Sequence, residues 1–105
     1  MVRGDVCTVK LPKGRRRVQH APRYAVVVQA DAVLNLSTVV VCPTSTSIQS
    51  ARIHPEIVIG DEPTRVMCEM VGAVDARALG KQVAHLKLDE LRGVDEGLEL
   101  VLDLG

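Results

Sequence analysis

Two short runs of residues, Ala25, Val26, Val27, Val28 and Val39, Val40, Val41, Cys42, limit what this chain can become. Each is too short for a globular helix, apolar at every position and rich in β-branched side chains, the pattern of a buried strand. Polar residues bracket the pair: Arg23 precedes the first run, and Thr44, Ser45, Thr46 and Ser47 follow the second. If the two strands are neighbours, these ends gather at one end of a sheet, where a cation and hydroxyls can hold a phosphate. The same residues also suit an ordinary hairpin whose polar ends meet water.

Around these runs the core must be assembled from Val, Leu, Ile, Ala and Met, because the 105 residues include one Tyr and no Phe or Trp. At 47% hydrophobic the chain is expected to form one domain over residues 1–105, and oligomerisation would help a core made of such small pieces. No apolar run approaches the roughly 20 residues of a membrane span, and the first ten residues lack the apolar stretch of a signal peptide, so a cytoplasmic location is expected. Cys7, Cys42 and Cys68 stand singly in apolar segments, which predicts core thiols in place of disulfides or a zinc site. No metal or cofactor is expected. The formal charge is zero, yet residues 1–23 carry a net +6 and residues 61–105 a net −5. A basic front segment attracts polyanions, although such a run also serves as plain solvated surface.

The patterning predicts a first strand over residues 5–11 ended by Pro12, then a mobile surface loop over 13–22 that holds Arg15, Arg16, Arg17 and His20. Strands follow over 24–29 and 37–42, with Pro43 stopping the latter, and a polar, turn-prone stretch runs over 44–52. A strand over 56–59 meets the breaker Gly60, Asp61, Glu62, Pro63, and another is expected over 65–71. Asp75 is placed to cap a short helical turn reaching Leu79 and closed by Gly80. Residues 81–86 alternate as a strand. Leu88, Leu91, Val94, Leu98, Val101 and Leu102 form one helix stripe, weakened by Gly93 and Gly97 at about 1 kcal/mol each. This stripe must dock on the sheet or on a partner chain. The fold class is mainly β with helices (α+β), ending in a C-terminal helix.

With these landmarks in order, the chain resembles the MazF/PemK family of toxin endoribonucleases over nearly its whole length. Arg3, Gly4, Asp5, Val6 is similar to the family's opening strand, with Cys7 where an aromatic residue is usual. The segment Arg23, Tyr24, Ala25, Val26, Val27, Val28, Gln29, Ala30, Asp31 resembles its Arg-Pro-hydrophobic run ending in Asn-Asp, with Tyr24 replacing the proline. Val39, Val40, Val41, Cys42, Pro43, Thr44, Ser45 resembles the strand that ends in Pro-x-Thr. Val66, Met67, Cys68, Glu69 and then Val74, Asp75 resemble the Val-Arg-Cys-Asp and Thr-Ile-Asp block, and the last helix also resembles the family's. The resemblance implies a compact SH3-like β-barrel of the CcdB/MazF type, a homodimer, and inhibition by a cognate MazE-like antitoxin. It implies metal-independent, sequence-specific cleavage of single-stranded RNA, messenger RNA first and transfer or ribosomal RNA as alternatives, leaving 2′,3′-cyclic phosphate and 5′-hydroxyl ends.

The roles it implies fall on few residues. Arg23 stands at the family's arginine, and a guanidinium holds two phosphate oxygens without losing its charge near neutrality. Ser45 falls at the catalytic threonine, Thr46 replaces it if the loop slips by one residue, and Glu69 stands where part of the family has an aspartate proposed as base. Arg15, Arg16, Arg17, His20, Tyr24 and Arg52 are the expected RNA contacts, Tyr24 as the sole aromatic stacking platform. His54 and His85 are expected on the surface. Met67 and Gly72 occupy positions where relatives often carry arginines, so a leaner site is expected. A second reading is a non-catalytic binding module on the same scaffold, such as a CcdB-like topoisomerase poison or a degenerate toxin.

Overall fold

In the computed structural model, which describes residues 1–10, 24–34 and 37–104, the second apolar run is the hub of a seven-stranded sheet. Strands β1 (Asp5–Val9), β2 (Tyr24–Val27), β3 (Thr38–Ser45), β4 (Glu56–Ile59), β5 (Glu62–Val66), β6 (Gly72–Asp75) and β7 (Leu79–His85) precede one helix, α1 (Leu88–Leu102). All pair antiparallel in the order β4-β5-β3-β2-β1-β7, with β6 also on β3. One edge of β3 pairs with β2. Its other edge is shared: residues 38–41 meet β6, whereas Thr44 and Ser45 meet β5. The expected loop over 13–22 lies outside the described residues, with Leu11, Pro12 and Arg23.

The two apolar runs do pair, Val26 opposite Cys42 and Val27 opposite Val41. Successive strand residues point to opposite faces, so runs apolar at every position imply burial on both. Val26, Val28 and Cys42 join Val6, Ile57, Val66, Cys68 and Val94 in one cluster, and Ala25, Val27, Val39 and Val41 form a second against Val74 and Leu79. The middle of the helix stripe docks on the first cluster, with Val94 fully buried and Leu91, Leu98 and Val101 packed beside it, whereas Leu88 and Leu102 at its ends are exposed. All three cysteines are free and buried, as expected of core thiols.

Several boundaries differ from expectation. Pro43 does not stop β3, which runs on to Ser45. Its carbonyl accepts from Met67 N at 2.8 Å. The N and C=O of a strand residue point the same way, so the missing N–H falls on the shared edge, between β6 and β5, and the β2 ladder is spared. The Gly60 to Pro63 breaker is only a hairpin bend, with Gly60 at φ 65° and Pro63 already opposite Val58 in β5. That strand ends at Val66, and a 3-10 turn, Cys68–Met70, takes the place of the expected continuation. Asp75 does cap a turn, accepting from Arg77 N at 2.8 Å, with the Arg77 guanidinium holding its carboxyl down to about 2. Gly80 lies inside β7 and closes nothing.

Charged side chains fix the ends of these elements. Arg3 donates to Val28 O at 2.9 Å and pairs with Asp95 of α1, while buried Asp5 accepts from Val2 N at 2.9 Å and Gln82 Nε2 at 3.1 Å and bonds His85 Nδ1 at 2.8 Å. The Arg3, Gly4, Asp5 opening thus holds the sheet to the helix. Glu90 accepts from Lys87 N at the helix start and from Val58 N on β4, both at 2.8 Å. Glu90→Ala strips a cap and an edge-strand partner together. It is expected to cost about 1 kcal/mol, seen as a melting temperature lower by about 4 °C in a thermal scan followed by circular dichroism.

Candidate functional site

The hydroxyl cluster divides at the end of β3. Thr44 is buried and donates to Tyr24 O at 3.2 Å, tying this end of β3 to the first residue of β2. Arg23 precedes Tyr24 in the chain and lies outside the described residues, as do Arg15, Arg16, Arg17 and His20. Ser45 points to the other face, where its Oγ accepts from Ser47 N at 3.2 Å, and Thr46 and Ser47 are exposed. Tyr24 is half-buried and packs against the first core cluster.

Across the sheet Ser45 lies opposite Arg65, which in turn lies opposite Glu56, so the three share one face. The Arg65 guanidinium donates to His54 O at 2.8 Å and approaches Glu56 Oε1 at 3.6 Å. This reaches the part of the site that sequence reasoning missed. His54 is not a surface residue: it is 8% exposed, with Nε2 2.6 Å from Glu69 Oε2 and Nδ1 2.8 Å from Gln49 O. The stretch around it has no periodicity, and its burial comes from a partner fifteen residues away, so no local signal marks it. His85 matches expectation better, its side chain half exposed beside Asp5.

The proton count at His54 is informative. A backbone carbonyl only accepts, and an ionised carboxylate only accepts, so a ring bonded to both must carry a proton on each nitrogen. The Glu69 carboxylate accordingly raises the His54 pKa above its ordinary 6.5, outweighing burial, which pushes it down, and the Gln49 carbonyl adds to the rise. Charge-assisted bonds of this length are strong and directional. Glu69 sits on the turn Cys68–Met70, and Met67, just before it, bonds the Pro43 carbonyl two residues from Ser45. Ser45, Arg65, His54 and Glu69 therefore form a connected set running from the end of β3 to the 3-10 turn.

Exposed Arg52 lines a cavity of about 260 Å³ with Glu96, Glu99, Leu100 and Asp103 of the α1 end. Met67 is half-buried, and Gly72 is exposed at the start of β6. Among the described residues no three His, Cys, Asp or Glu side chains are gathered as a metal would need. No helix among them is long and apolar enough to cross a membrane.

A mostly β half-barrel with one C-terminal helix, its β3 end carrying a hydroxyl beside a cation, has the CcdB/MazF-type fold of small toxins. It matches an endoribonuclease from a mycobacterial species in complex with its cognate antitoxin at a TM-score of 0.83 and 16% identity, covering 100% of this chain and 97% of that one. The Mycobacterium tuberculosis toxin MazF-mt6 matches at 0.79 and 20% identity, covering 96% and 98%. MazF from Deinococcus radiodurans matches at 0.80 and 18% identity, covering 98% and 96%. In sequence, a putative toxin of Mycobacterium tuberculosis is 30% identical over 106 residues, 99% of each chain. The family model described as PemK-like, MazF-like toxin of type II toxin-antitoxin system matches residues 2–102, and the chain belongs to that family.

Proposed function

We propose that this chain is a toxin that cleaves single-stranded RNA within cytoplasmic messenger RNA by attack of a ribose 2′-hydroxyl on the adjacent phosphate, without metal. The observation that carries this reading is Glu69, a carboxylate held by His54 at 2.6 Å on a turn bonded to the Ser45 end of β3. The reaction needs a base for the 2′-proton, positive charge where the phosphate becomes more negative, and a proton for the leaving 5′-oxygen. Glu69 is proposed as the base, and Ser45 as a donor to a phosphate oxygen, with Thr46 its substitute one step on. Arg23, the residue before Tyr24, supplies the charge. Arg15, Arg16, Arg17, His20 and Arg52 would contact RNA, and Tyr24 would stack on a base with whatever of its ring stays open.

Partners follow from the same reading. The structural neighbours include toxins bound to antitoxins. For this chain the proposed inhibitor is a cognate MazE-like antitoxin whose acidic segment covers the basic front half, and the proposed active form is a homodimer. The test is incubation of the purified protein with end-labelled single-stranded RNA in EDTA. Fragments ending in 2′,3′-cyclic phosphate with new 5′-hydroxyl partners are expected. Intact RNA at high protein concentration would favour the non-catalytic reading, to which the uncharged Met67 and Gly72 lend support.

A further inference from the structure

We propose that His54 is a positioning residue of the RNA-cleaving site, one ring that holds the Glu69 carboxylate with one nitrogen and the segment after β3 with the other. The proposal rests on the reading that Glu69 and Ser45 act on RNA. His54 Nε2 fixes the carboxylate at 2.6 Å, and Nδ1 fixes Gln49 O at 2.8 Å, four residues beyond Ser45 in the chain. The ring itself is held in place. Its backbone carbonyl accepts from Arg65 Nη1, its N–H bonds Ala51 O at 2.9 Å, and only 10% of its side chain reaches solvent. A ring so enclosed touches substrate poorly, but it sets where two groups that touch substrate stand.

The geometry also makes the device sensitive to pH. With both nitrogens protonated, both contacts are hydrogen bonds. A neutral ring has one N–H, so one contact becomes lone pair against lone pair, and either the carboxylate or the segment is released. The charged and titratable groups facing the ring are the Glu69 carboxylate and the Cys68 thiol from the turn, with the Arg65 guanidinium on its carbonyl and Glu56 beyond that. Glu69 favours the protonated ring, so the doubly bonded state extends above the ordinary histidine range and fails on the alkaline side of it.

Two amide variants separate the contacts. In His54→Gln the side-chain nitrogen reaches the place of Nε2 and keeps a donor toward Glu69. In His54→Asn it takes the place of Nδ1 and keeps one toward Gln49 O. RNA cleavage by the full chain is measured against pH, with kcat and KM taken separately and thermal unfolding run alongside. Wild type is expected to lose activity along an alkaline limb with its midpoint above pH 6.5, and both amides, which keep their N–H at every pH, are expected to lack that limb. His54→Gln should keep kcat within about threefold and raise KM, whereas His54→Asn should lower kcat by tenfold or more. Equal effects from both variants with the wild-type pH limb retained, or wild-type kcat and KM in both, would overturn the proposal and leave the endoribonuclease reading standing. If wild type itself leaves RNA intact in EDTA, that reading fails and this proposal fails with it.

Discussion

Replacing Arg23 with alanine is expected to reduce RNA cleavage at least a hundredfold while leaving the thermal unfolding transition where it is in wild type. Removing one preorganised donor from a developing oxyanion costs about 10² to 10³ in rate, and in the proposed site Arg23 is that donor. Met67 and Gly72 carry no charge, and Arg65 already bonds the His54 carbonyl and approaches Glu56. Arg23→Lys should recover only part of the loss, because an ammonium keeps the charge but not the planar fork that holds two phosphate oxygens. The measurement is the single-turnover rate on a labelled oligonucleotide in EDTA, together with a melting curve. A lost or lowered unfolding transition in Arg23→Ala would mean that its effect is structural. Wild-type cleavage by a normally folded variant would remove Arg23 from the reaction.

The parts of the fold legible in the sequence were those with a local period. Runs 25–28 and 39–42 paired because each is apolar on both faces, and α1 appeared from Leu88 to Leu102 because its stripe repeats every three or four residues. β6 was missed because Gly72, Ala73, Val74 and Asp75 have no alternation, and only pairing with residues 38–41 makes them a strand. Pro43 and Pro63 were read as stops because proline cannot donate to a ladder, yet both lie in strands. In the candidate site Ser45 and Glu69 could be named from their motifs. His54 could not, since what makes it informative is a contact with Glu69 across the fold. Its burial beside a carboxylate is a tertiary fact with no spacing to betray it.

The glycines of α1 carry the same lesson about distance, and one of them yields the largest expected change in stability. By propensity both weaken the helix, yet a Cβ at Gly97 would lie 2.6 Å from Cys68 Sγ, 3.3 Å from Cys68 Cβ and 3.4 Å from Arg52 O. The helix therefore crosses the turn Cys68–Met70 at a distance that only glycine allows. Cys68 is fully buried, and its thiol meets Val94 O at 3.9 Å, so the sulfur has no open side to move into. Gly97→Val is expected to lose about 2–3 kcal/mol, since overpacking a filled site costs that much and more than offsets the gain in helix propensity. In a domain of this size that lowers the melting temperature by about 10 °C. Gly93→Ala is the control, because its Cβ would meet only Pro55 Cβ at 3.2 Å, and a few tenths of an ångström of give leaves the propensity gain to cancel the crowding. Pairing Gly97→Ala with Cys68→Ala should show a favourable coupling, as each removes part of the other's conflict. Since Glu69 follows Cys68 directly, a helix pushed off this turn also displaces the carboxylate from His54. Gly97→Val should therefore lose RNA cleavage at temperatures where it remains folded, and full activity in the folded variant would show that the turn and the helix are not mechanically joined.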